Sequence, residues 1–254
     1  MTRPALLPVM CAAVLVLAAA GPVAAQQPTG AWKAVGFIDV DGGVQAATSN
    51  FTSAVTFNVY GEDGTLAADY KFAAMPVVSG RIGFRIGGNL ALGLGLSRYS
   101  GDSEASVSAE VPHPFYVNQP RSVSGTATSL AREETLAALE LSWRLKLGRI
   151  TDVMLFVGPA YFSTYQDMVT QPRYTESYPY DAATFAGADT TRVHKNGVGA
   201  TGGIDVSFMF NPHLGLGFAG RYSYGTATFS AAAGSSTSVR LGGAQGTIGV
   251  RIRY

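Results

Sequence analysis

The chain has 254 residues, with 18 Lys and Arg against 17 Asp and Glu, so it carries almost no net charge. A neutral chain without a basic run lacks the field that attracts nucleic acid, which argues against a nucleic-acid partner. Only 14% of its residues are charged and 31 are Gly, whereas soluble domains average about 25% charged residues. Both features are typical of a barrel whose outer surface excludes charge and whose narrow interior favours residues without side chains.

The N-terminus has the pattern of an export signal. Arg3 is followed by an apolar run at residues 9–20 and by small residues at 23–25, which together predict cleavage after Ala25. We therefore assign residues 1–25 to a signal peptide and 26–254 to a single mature domain. No later apolar run approaches the roughly 20 residues that a membrane helix needs, so a mature chain that crosses a membrane must do so with strands.

Apolar residues in the mature chain recur with a period of two, which predicts strands. The clearest case is a run in which leucines alternate with Ala, Gly and Ser, because a helix would scatter these leucines around its axis. These leucines are Leu90, Leu92, Leu94 and Leu96. Eight strands are predicted in this way, at 31–40, 78–87, 90–97, 139–147, 153–165, 198–210, 214–224 and 247–254.

The connections between these strands are asymmetric. Short turns on one side are expected at Gly88-Asn89, Gly148-Arg149 and Asn211-Pro212. The other side carries three long excursions and a shorter loop at 231–238. The first excursion has strand-like hairpin arms at 51–60 and 65–72. The other two excursions are at 100–132 and 168–195. Short periplasmic turns and long extracellular loops are typical of outer-membrane barrels. The fold class is therefore all-β, an antiparallel up-and-down transmembrane β-barrel.

An alternative barrel with ten strands stays open at this point. It would use 51–60 and 65–72 as two further spanning strands, with a turn at 61–64 on the short side. In either case aromatic residues fall near two heights, as in the girdles of membrane barrels. They are Trp32, Phe84, Trp143, Phe210 and Tyr254 near the short turns, and Tyr99, Tyr165 and Tyr224 near the long loops.

The last strand combines an apolar face with a charged face and ends on an aromatic residue. The spacing of Thr247, Gly249, Ile252 and Tyr254 resembles the C-terminal signal by which bacterial outer-membrane barrels are recognised for insertion. From about residue 30 onward, the chain resembles the outer-membrane protein β-barrel family, in particular the small eight-stranded barrels of the OmpA and OmpX type. The resemblance rests on the export signal, the alternation, the loop asymmetry and the terminal aromatic residue.

The resemblance implies a location and a set of partners. It implies the bacterial outer membrane, with both termini in the periplasm and lipid around the barrel. It also implies periplasmic chaperones and the barrel-assembly machinery as partners during biogenesis, and a monomeric protein. An extracellular ligand cannot be identified from the sequence, although Pro112–Tyr116 and Tyr174–Phe185 have the aromatic, proline-rich composition of recognition surfaces.

Charged residues that face the interior are the candidates for a mechanism. A cluster near mid-height, Arg81, Glu140, Asp205 and Arg221, is expected to act as a plug or a gate, with Asp39 close by. Arg85, Arg144, Lys146 and Arg251 are expected nearer the short turns. Because an eight-stranded barrel is just wide enough for side chains to fill it, a plug is favoured. The predicted role is structural or recognitional, and a narrow pore for ions or small solutes is the alternative.

A lipid-modifying enzyme is a less favoured third hypothesis. It would need a general base beside a hydroxyl or carboxyl group at the height of the outer leaflet. The sequence contains three histidines, His113, His194 and His213. Their positions predict no Ser-His-acid grouping at one height and no pair of histidines with metal-ligand spacing. The only cysteine, Cys11, lies in the signal peptide. No catalytic residue, metal site or cofactor is therefore predicted.

Overall fold

The computed structural model describes residues 34–46, 50–230 and 236–254. The predicted signal peptide, Trp32 and most of the predicted 231–238 loop lie outside these residues. The strands are β1 (Gly36–Gln45), β2 (Phe51–Val59), β3 (Glu62–Lys71), β4 (Met75–Gly87), β5 (Leu90–Val111), β6 (Arg121–Lys146), β7 (Thr151–Glu176), β8 (Ala183–Met209), β9 (Leu214–Ser230) and β10 (Ser236–Arg253). The all-β prediction is confirmed. Within the described ranges, no helix has the length and apolar character needed to cross a membrane.

Eight of these strands form a closed antiparallel ring. Its order is β1, β4, β5, β6, β7, β8, β9 and β10, and β10 pairs with β1 to close it. The remaining two strands, β2 and β3, form a hairpin outside the ring, in which β3 pairs with the upper part of β5. We call the end of the ring with short turns the lower end and the end with long hairpins the upper end.

The register around the ring is staggered by ten residues. Gly36 is linked by successive cross-strand partners to Phe84, Leu92, Leu141, Val157, Gly202, Tyr222 and Ala244, and Ala244 is hydrogen-bonded to Ala46. Such a stagger requires the strands to tilt against the barrel axis. An eight-stranded barrel has an interior just wide enough for side chains to fill, so the inward-facing residues of this ring must fit one another closely.

The lower part of the ring is apolar on its outer face. We call this surface the apolar belt, and define it by Val40, Val78, Ile82, Phe84, Leu94, Leu96, Leu139, Leu141, Trp143, Val157, Tyr161, Val198, Ile204, Phe218, Tyr222, Ile248, Val250 and Ile252. All of these side chains are exposed, and Leu94 exposes 60% of its surface. The inward positions of the same strands carry mostly Gly, Ala, Ser or a charged residue, with a few larger apolar side chains such as Phe37, Phe156 and Phe162.

Above the belt the ring opens into two facing sheets. The pairing of β6 with β7 ends at Arg132 and Gln166. Beyond that point β2, β3, β5 and β6 form one sheet, and β7 and β8 form a separate hairpin. The two sheets pack closely, since a Cβ atom added at Gly125 in β6 would lie 2.1 Å from the ring of Phe185 in β8. We call this upper unit the head, residues 51–72, 100–132 and 167–195.

The head has an apolar core and a polar outer face, which is the reverse of the belt. In the upper half of β5, Ala105, Val107, Ala109 and Val111 are buried, while Ser106, Ser108 and Glu110 are exposed. The predicted excursions at 100–132 and 168–195 are mostly continuations of the ring strands in the form of extended hairpins, although the sequence does not predict where each strand ends. Alternation of Ser and Glu with small apolar residues leaves too little hydrophobic contrast to distinguish a strand from a loop.

Leu66 of β3 tests whether the head is held together by this core. Its side chain is buried in the apolar cluster, so Leu66→Ala should lower the free energy of unfolding of the head by about 2–5 kcal/mol. Protection of the β3 amides against hydrogen exchange would measure the loss. Thr65→Ala, at the exposed neighbouring position, is the control and should leave protection unchanged. Equal protection in the two variants would contradict the two-sheet packing.

Candidate functional site: the interior charge cluster

Asp205 of β8 is the acceptor on which two arginines converge inside the ring. Its Oδ2 atom accepts a hydrogen bond from Arg81 Nη2 at 3.0 Å and another from Arg251 Nε at 2.9 Å. The Arg81 Nη2 atom also donates to Asp39 Oδ2 at 2.7 Å, and Arg251 Nη1 lies 2.7 Å from Asp41 Oδ1. All five side chains are almost completely buried. They form one ionic network, which we call the Asp205 network.

The strand register explains half of this network. In β1, Asp39 lies directly opposite Arg81 of β4 on one side and Arg251 of β10 on the other. Asp205 approaches from a different wall of the ring, β8. Arg251 can reach Asp205 because Gly217 of β9 has no side chain. A Cβ atom at Gly217 would lie 2.5 Å from Arg251 Nε. Glycine in this interior therefore makes room for ion pairs.

A second ion pair stands beside the network. Arg221 Nη2 lies 2.8 Å from Glu140 Oε1, and Gly95 leaves room for this carboxylate, because a Cβ atom at Gly95 would lie 2.3 Å from the same oxygen. The ring of Phe156 connects the two groups, with the guanidinium carbon of Arg81 4.6 Å and that of Arg221 5.0 Å from its centroid. Cations over an aromatic face are attracted to it.

The predicted cluster thus consists of two parts, with Arg81 and Asp205 in one and Glu140 and Arg221 in the other. Arg251, which the sequence predicts nearer the short turns, is instead central to the Asp205 network. The prediction for Arg251 is wrong because the tilt of β10 raises this residue relative to its position along the chain. Phe156 could not have been identified from the sequence, since its strand is apolar on both faces.

The ion-paired charges of the lower interior balance. Below the network, Asp152 makes ion pairs with Arg144 and, at 3.4 Å, with Arg253. The five arginines in these pairs are Arg81, Arg144, Arg221, Arg251 and Arg253, and the five acids are Asp39, Asp41, Glu140, Asp152 and Asp205. Buried charges that lack a partner are expensive, and here each has at least one. Of the other predicted basic residues, Arg85 is half-buried on the inward side of β4, and Lys146 is exposed at the lower rim.

Apolar and polar layers alternate along the axis of the barrel. Phe37, Ala91 and Met154 form a small apolar group among the charges, where Met154 is the cross-strand partner of both Asp205 and Arg144. Above the charges lies an apolar layer formed by Leu136, Ala138, Ala160, Phe162, Ala227, Val239 and Leu241. A polar layer follows, in which Glu134 accepts hydrogen bonds from the Tyr99 hydroxyl at 2.9 Å and from the Gly242 amide at 2.9 Å. Tyr99 therefore faces inward, and its predicted place in the outer aromatic girdle is wrong.

The residues of the C-terminal motif lie at the seam that closes the ring. Thr247 and Gly249 face inward, and Ile252 and Tyr254 face outward. A Cβ atom at Gly249 would lie 1.9 Å from the Val40 carbonyl oxygen, so only glycine allows β10 to approach β1 this closely. The carbonyl oxygen of Tyr254 accepts the amide of Gly36 at 2.9 Å. The motif thus joins the two ends of the described chain.

The three histidines occupy three different environments. His113 lies in the head, where its Nδ1 atom accepts the amides of Phe115 at 3.1 Å and Tyr116 at 3.2 Å. His213 lies in the lower turn between β8 and β9. His194 faces outward, as its parity predicts, and its Nε2 atom lies 3.0 Å from Ser163 Oγ. The sequence does not predict this Ser-His pair, because only the pairing of β7 with β8 brings the two residues together.

No acid completes a catalytic grouping at this pair. The carboxylate of the nearby Glu133 binds Arg98 and Arg192. In the part of the chain that the structure describes, no carboxylate oxygen lies within ion-pair distance of His194. The same residues contain no group of three or more His, Cys, Asp or Glu side chains that could hold a metal ion.

The distal tip of the head carries a group of exposed aromatic residues. Phe115 exposes 70% and Tyr178 exposes 85% of its surface. The ring of Tyr180 links them, with its centroid 5.5 Å from that of Phe115 and 6.2 Å from that of Tyr178. These residues belong to two loops that the sequence predicts to be recognition surfaces, and the structure brings the loops together.

Arg121 and Glu176 hold the tip loops in place. Arg121 donates to Glu176 Oε2 at 2.5 Å, to the Pro112 carbonyl at 2.9 Å and to the Tyr180 carbonyl at 3.0 Å. The hydroxyl of Tyr60 also donates to Glu176, at 2.6 Å. Burial alone would raise the pKa of Glu176, but the hydrogen bonds from Tyr60 and Arg121 outweigh it and hold the pKa below its ordinary value. Glu176 is therefore ionised at neutral pH and keeps the loops together.

Comparisons with known proteins give likeness in structure only. No family model matches the sequence, and no curated protein matches it. Among solved structures, the outer membrane protein OprG from Pseudomonas aeruginosa aligns with a TM-score of 0.45 and 12% identity, over 88% of this chain and 98% of that one. Neisserial surface protein A aligns with a TM-score of 0.41 and 14% identity, over 86% of this chain and 97% of that one.

Asp205→Asn tests the importance of the Asp205 network. The amide keeps the size of the carboxylate but leaves Arg81 and Arg251 each short of a negative partner in a buried site. We expect the free energy of unfolding to fall by about 3–5 kcal/mol, measured by urea denaturation of the refolded chain. Asp189→Asn removes an exposed partner of Arg173 and should cost less than about 1 kcal/mol. Similar losses in both variants would show that the network contributes no more than a surface ion pair.

Proposed function

We propose that this protein is an integral barrel of the bacterial outer membrane, which displays the head at the cell surface. The main support for this proposal is that the outward face changes from apolar to polar along single strands. Along β5, leucines face outward below Arg98, whereas serines and acids face outward above it and the core turns apolar. A hydrocarbon environment for the lower ring and water for the head explain both halves, because each surface then matches its solvent.

The dimensions of the apolar belt support the same proposal. A membrane-spanning β-strand needs about 9–11 residues when it is tilted. In β9 the apolar outward positions run from Leu214 to Tyr224, a span of 11 residues. The closed ring leaves no unpaired backbone edge at this height, as a hydrocarbon environment demands. Without open edges in the ring, a monomer is the expected state.

We propose that the interior charge cluster is a plug and not a gate. Two apolar layers, one containing Phe162 and the other the head core with Leu66, alternate with polar layers whose charges are paired, and a smaller apolar group with Phe37 lies among the lower charges. A conducting path would have to cross every layer. The balanced charges also provide no field that would attract ions of one sign. These observations support a structural and recognitional role over the alternative of a narrow pore.

The aromatic tip supports recognition as the function of the head. Exposed aromatic groups on a rigid support offer large contact areas at a low entropic cost. Arg121 and Glu176 provide that support by tying three loops together. In this proposal the lipid of the outer membrane surrounds the belt. During biogenesis, periplasmic chaperones and the assembly machinery recognise the motif formed by Thr247, Gly249, Ile252 and Tyr254.

Leu94→Arg tests membrane insertion. Leu94 lies in the middle of the belt, so an arginine there should lower the free energy of unfolding of the vesicle-folded protein by about 2–4 kcal/mol. Ser108→Arg, on the outer face of the head in the same strand, should change it by less than about 0.5 kcal/mol. Urea titration of vesicle-folded protein measures both. If Leu94→Arg is neutral, the belt does not face hydrocarbon and the proposal fails.

Single-channel recording of the mature barrel in planar bilayers tests the plug. We expect the wild type to be silent, because apolar layers interrupt every path along the axis. Glu140→Ala, which leaves Arg221 without its partner, should be silent as well, since those layers remain. Steady conductance in the wild type would favour the pore. Openings confined to the variant would indicate a gate held closed by the ion pair.

A further inference from the structure

A row of polar side chains crosses four strands immediately above the apolar belt. It consists of Arg98 on β5, Glu133 on β6, Ser163 and Tyr165 on β7, and Arg192 and His194 on β8, and we call it the polar row. All of these residues face outward. One outward position below it lie belt residues such as Leu96 and Tyr161. If the lower ring is in the outer membrane, as proposed above, the polar row lies at the height of the outer lipid headgroups.

The strand register brings the row together from distant parts of the chain. Glu133 is paired with Tyr165, and Tyr165 is paired with His194. Ser100, next to Arg98 on the outer face of β5, is the partner of Glu133 on the other side. Adjacent strands lie about 4.8 Å apart, so four strands span about 14 Å.

The two arginines of the row share one carboxylate. Arg98 Nη2 lies 2.8 Å from Glu133 Oε2, and Arg192 Nη2 lies 2.6 Å from Glu133 Oε1. The hydrogen bond from Arg192 lowers the pKa of Glu133, so Glu133 is ionised at neutral pH. Glu133 and the two arginines together carry one net positive charge, and the next acid is Asp167, the cross-strand partner of Arg192, whose carboxylate accepts the Ala131 amide at 3.1 Å. The arginine side chains remain 65% and 49% exposed, so their other N–H groups can reach a ligand.

Aromatic and hydroxyl groups complete the row. The rings of Tyr165 and His194 stack, with centroids 4.3 Å apart, and the guanidinium carbon of Arg192 lies 5.2 Å from the centroid of Tyr165. These contacts hold Arg192 and His194 against the barrel wall. Ser163 Oγ lies 3.0 Å from His194 Nε2 and adds a further hydrogen-bonding group. The side chains of the polar row are thus held in fixed positions relative to one another.

We propose that the polar row is a binding site for a phosphate-bearing headgroup of an outer-leaflet lipid. Guanidinium groups bind phosphate through paired N–H donors, and basic residues at a membrane surface attract anionic headgroups. The acyl chains of such a lipid would lie on the belt directly below. The outward residues at this boundary are Ala46, just beyond the end of β1, and Pro76 of β4, so the polar row does not continue onto that side of the barrel.

The competing explanation is that Glu133 and the arginines only brace neighbouring strands. The two explanations differ in the expected effect of Glu133→Gln. A brace would be weakened by this change, and lipid binding would not improve. In a phosphate site, Glu133 competes with the ligand for both arginines, so its neutralisation should strengthen binding.

Native mass spectrometry of the mature chain in detergent micelles, titrated with lipid A carrying two, one or no phosphate groups, tests the proposal. The wild type should bind the phosphorylated forms most tightly. Arg98→Gln combined with Arg192→Gln should weaken that binding about 30-fold, and Glu133→Gln should tighten it about fivefold. Arg173→Gln, which alters an equally exposed ion pair in the head, should leave binding unchanged.

Three outcomes would overturn the proposal: equal binding of all three lipids, undiminished binding in the double variant, or weaker binding in Glu133→Gln. Inorganic phosphate is a separate probe. If it binds as tightly as the phosphorylated lipid, the lipid assignment is wrong.

Flotation of the same protein with vesicles distinguishes this proposal from the proposed function. A protein that floats but does not discriminate phosphate contradicts only the headgroup site, whereas one that fails to float contradicts membrane insertion itself.

Discussion

The structure depends on one constraint, which is that a closed ring of eight strands has an interior no wider than its own side chains. The charges that face inward must therefore neutralise one another across a few ångströms. Asp205 meets this requirement by accepting from Arg81 and Arg251 at once. Glycines such as Gly95 and Gly217 are equally necessary, because any side chain at these positions would occupy the place of an ion pair. Glycine content and paired charge are thus two consequences of the same narrow interior.

The strands continue beyond the ring, and there the polarity of their inward and outward faces is exchanged. Where the ring is closed, its core contains the ion pairs below an apolar layer, and its surface is apolar. Where it divides into two sheets, its core is apolar, with Leu66 and Val107 inside, and its surface carries Ser and Glu. Two packing solutions follow one another along the same strand, and the boundary between them lies near Arg98. The polar row occupies that boundary on the outside of the barrel.

Two surfaces of the described chain are the candidates for contact with partners in the proposed orientation. The tip presents Phe115 and Tyr178 on loops fixed by Arg121 and Glu176. The polar row presents Arg98 and Arg192 at the upper edge of the apolar belt. These surfaces differ in chemistry, since one is aromatic and the other cationic, and they face different surroundings in the proposed orientation. Display of a rigid head and contact with lipid are therefore compatible in one small barrel.

The sequence by itself determined which face each residue of a strand occupies, since a period of two is a local property. The leucines of β5, the outward parity of His194 and the inward parity of Arg81 and Glu140 are all readable in this way. Height along the barrel was decided only by the tertiary structure, because the stagger of ten residues tilts every strand. That tilt raises Arg251 into the Asp205 network, and the pairing of β7 with β8 places Ser163 beside His194. The division of the head into two sheets likewise depends on where β6 and β7 cease to pair, which no local pattern records.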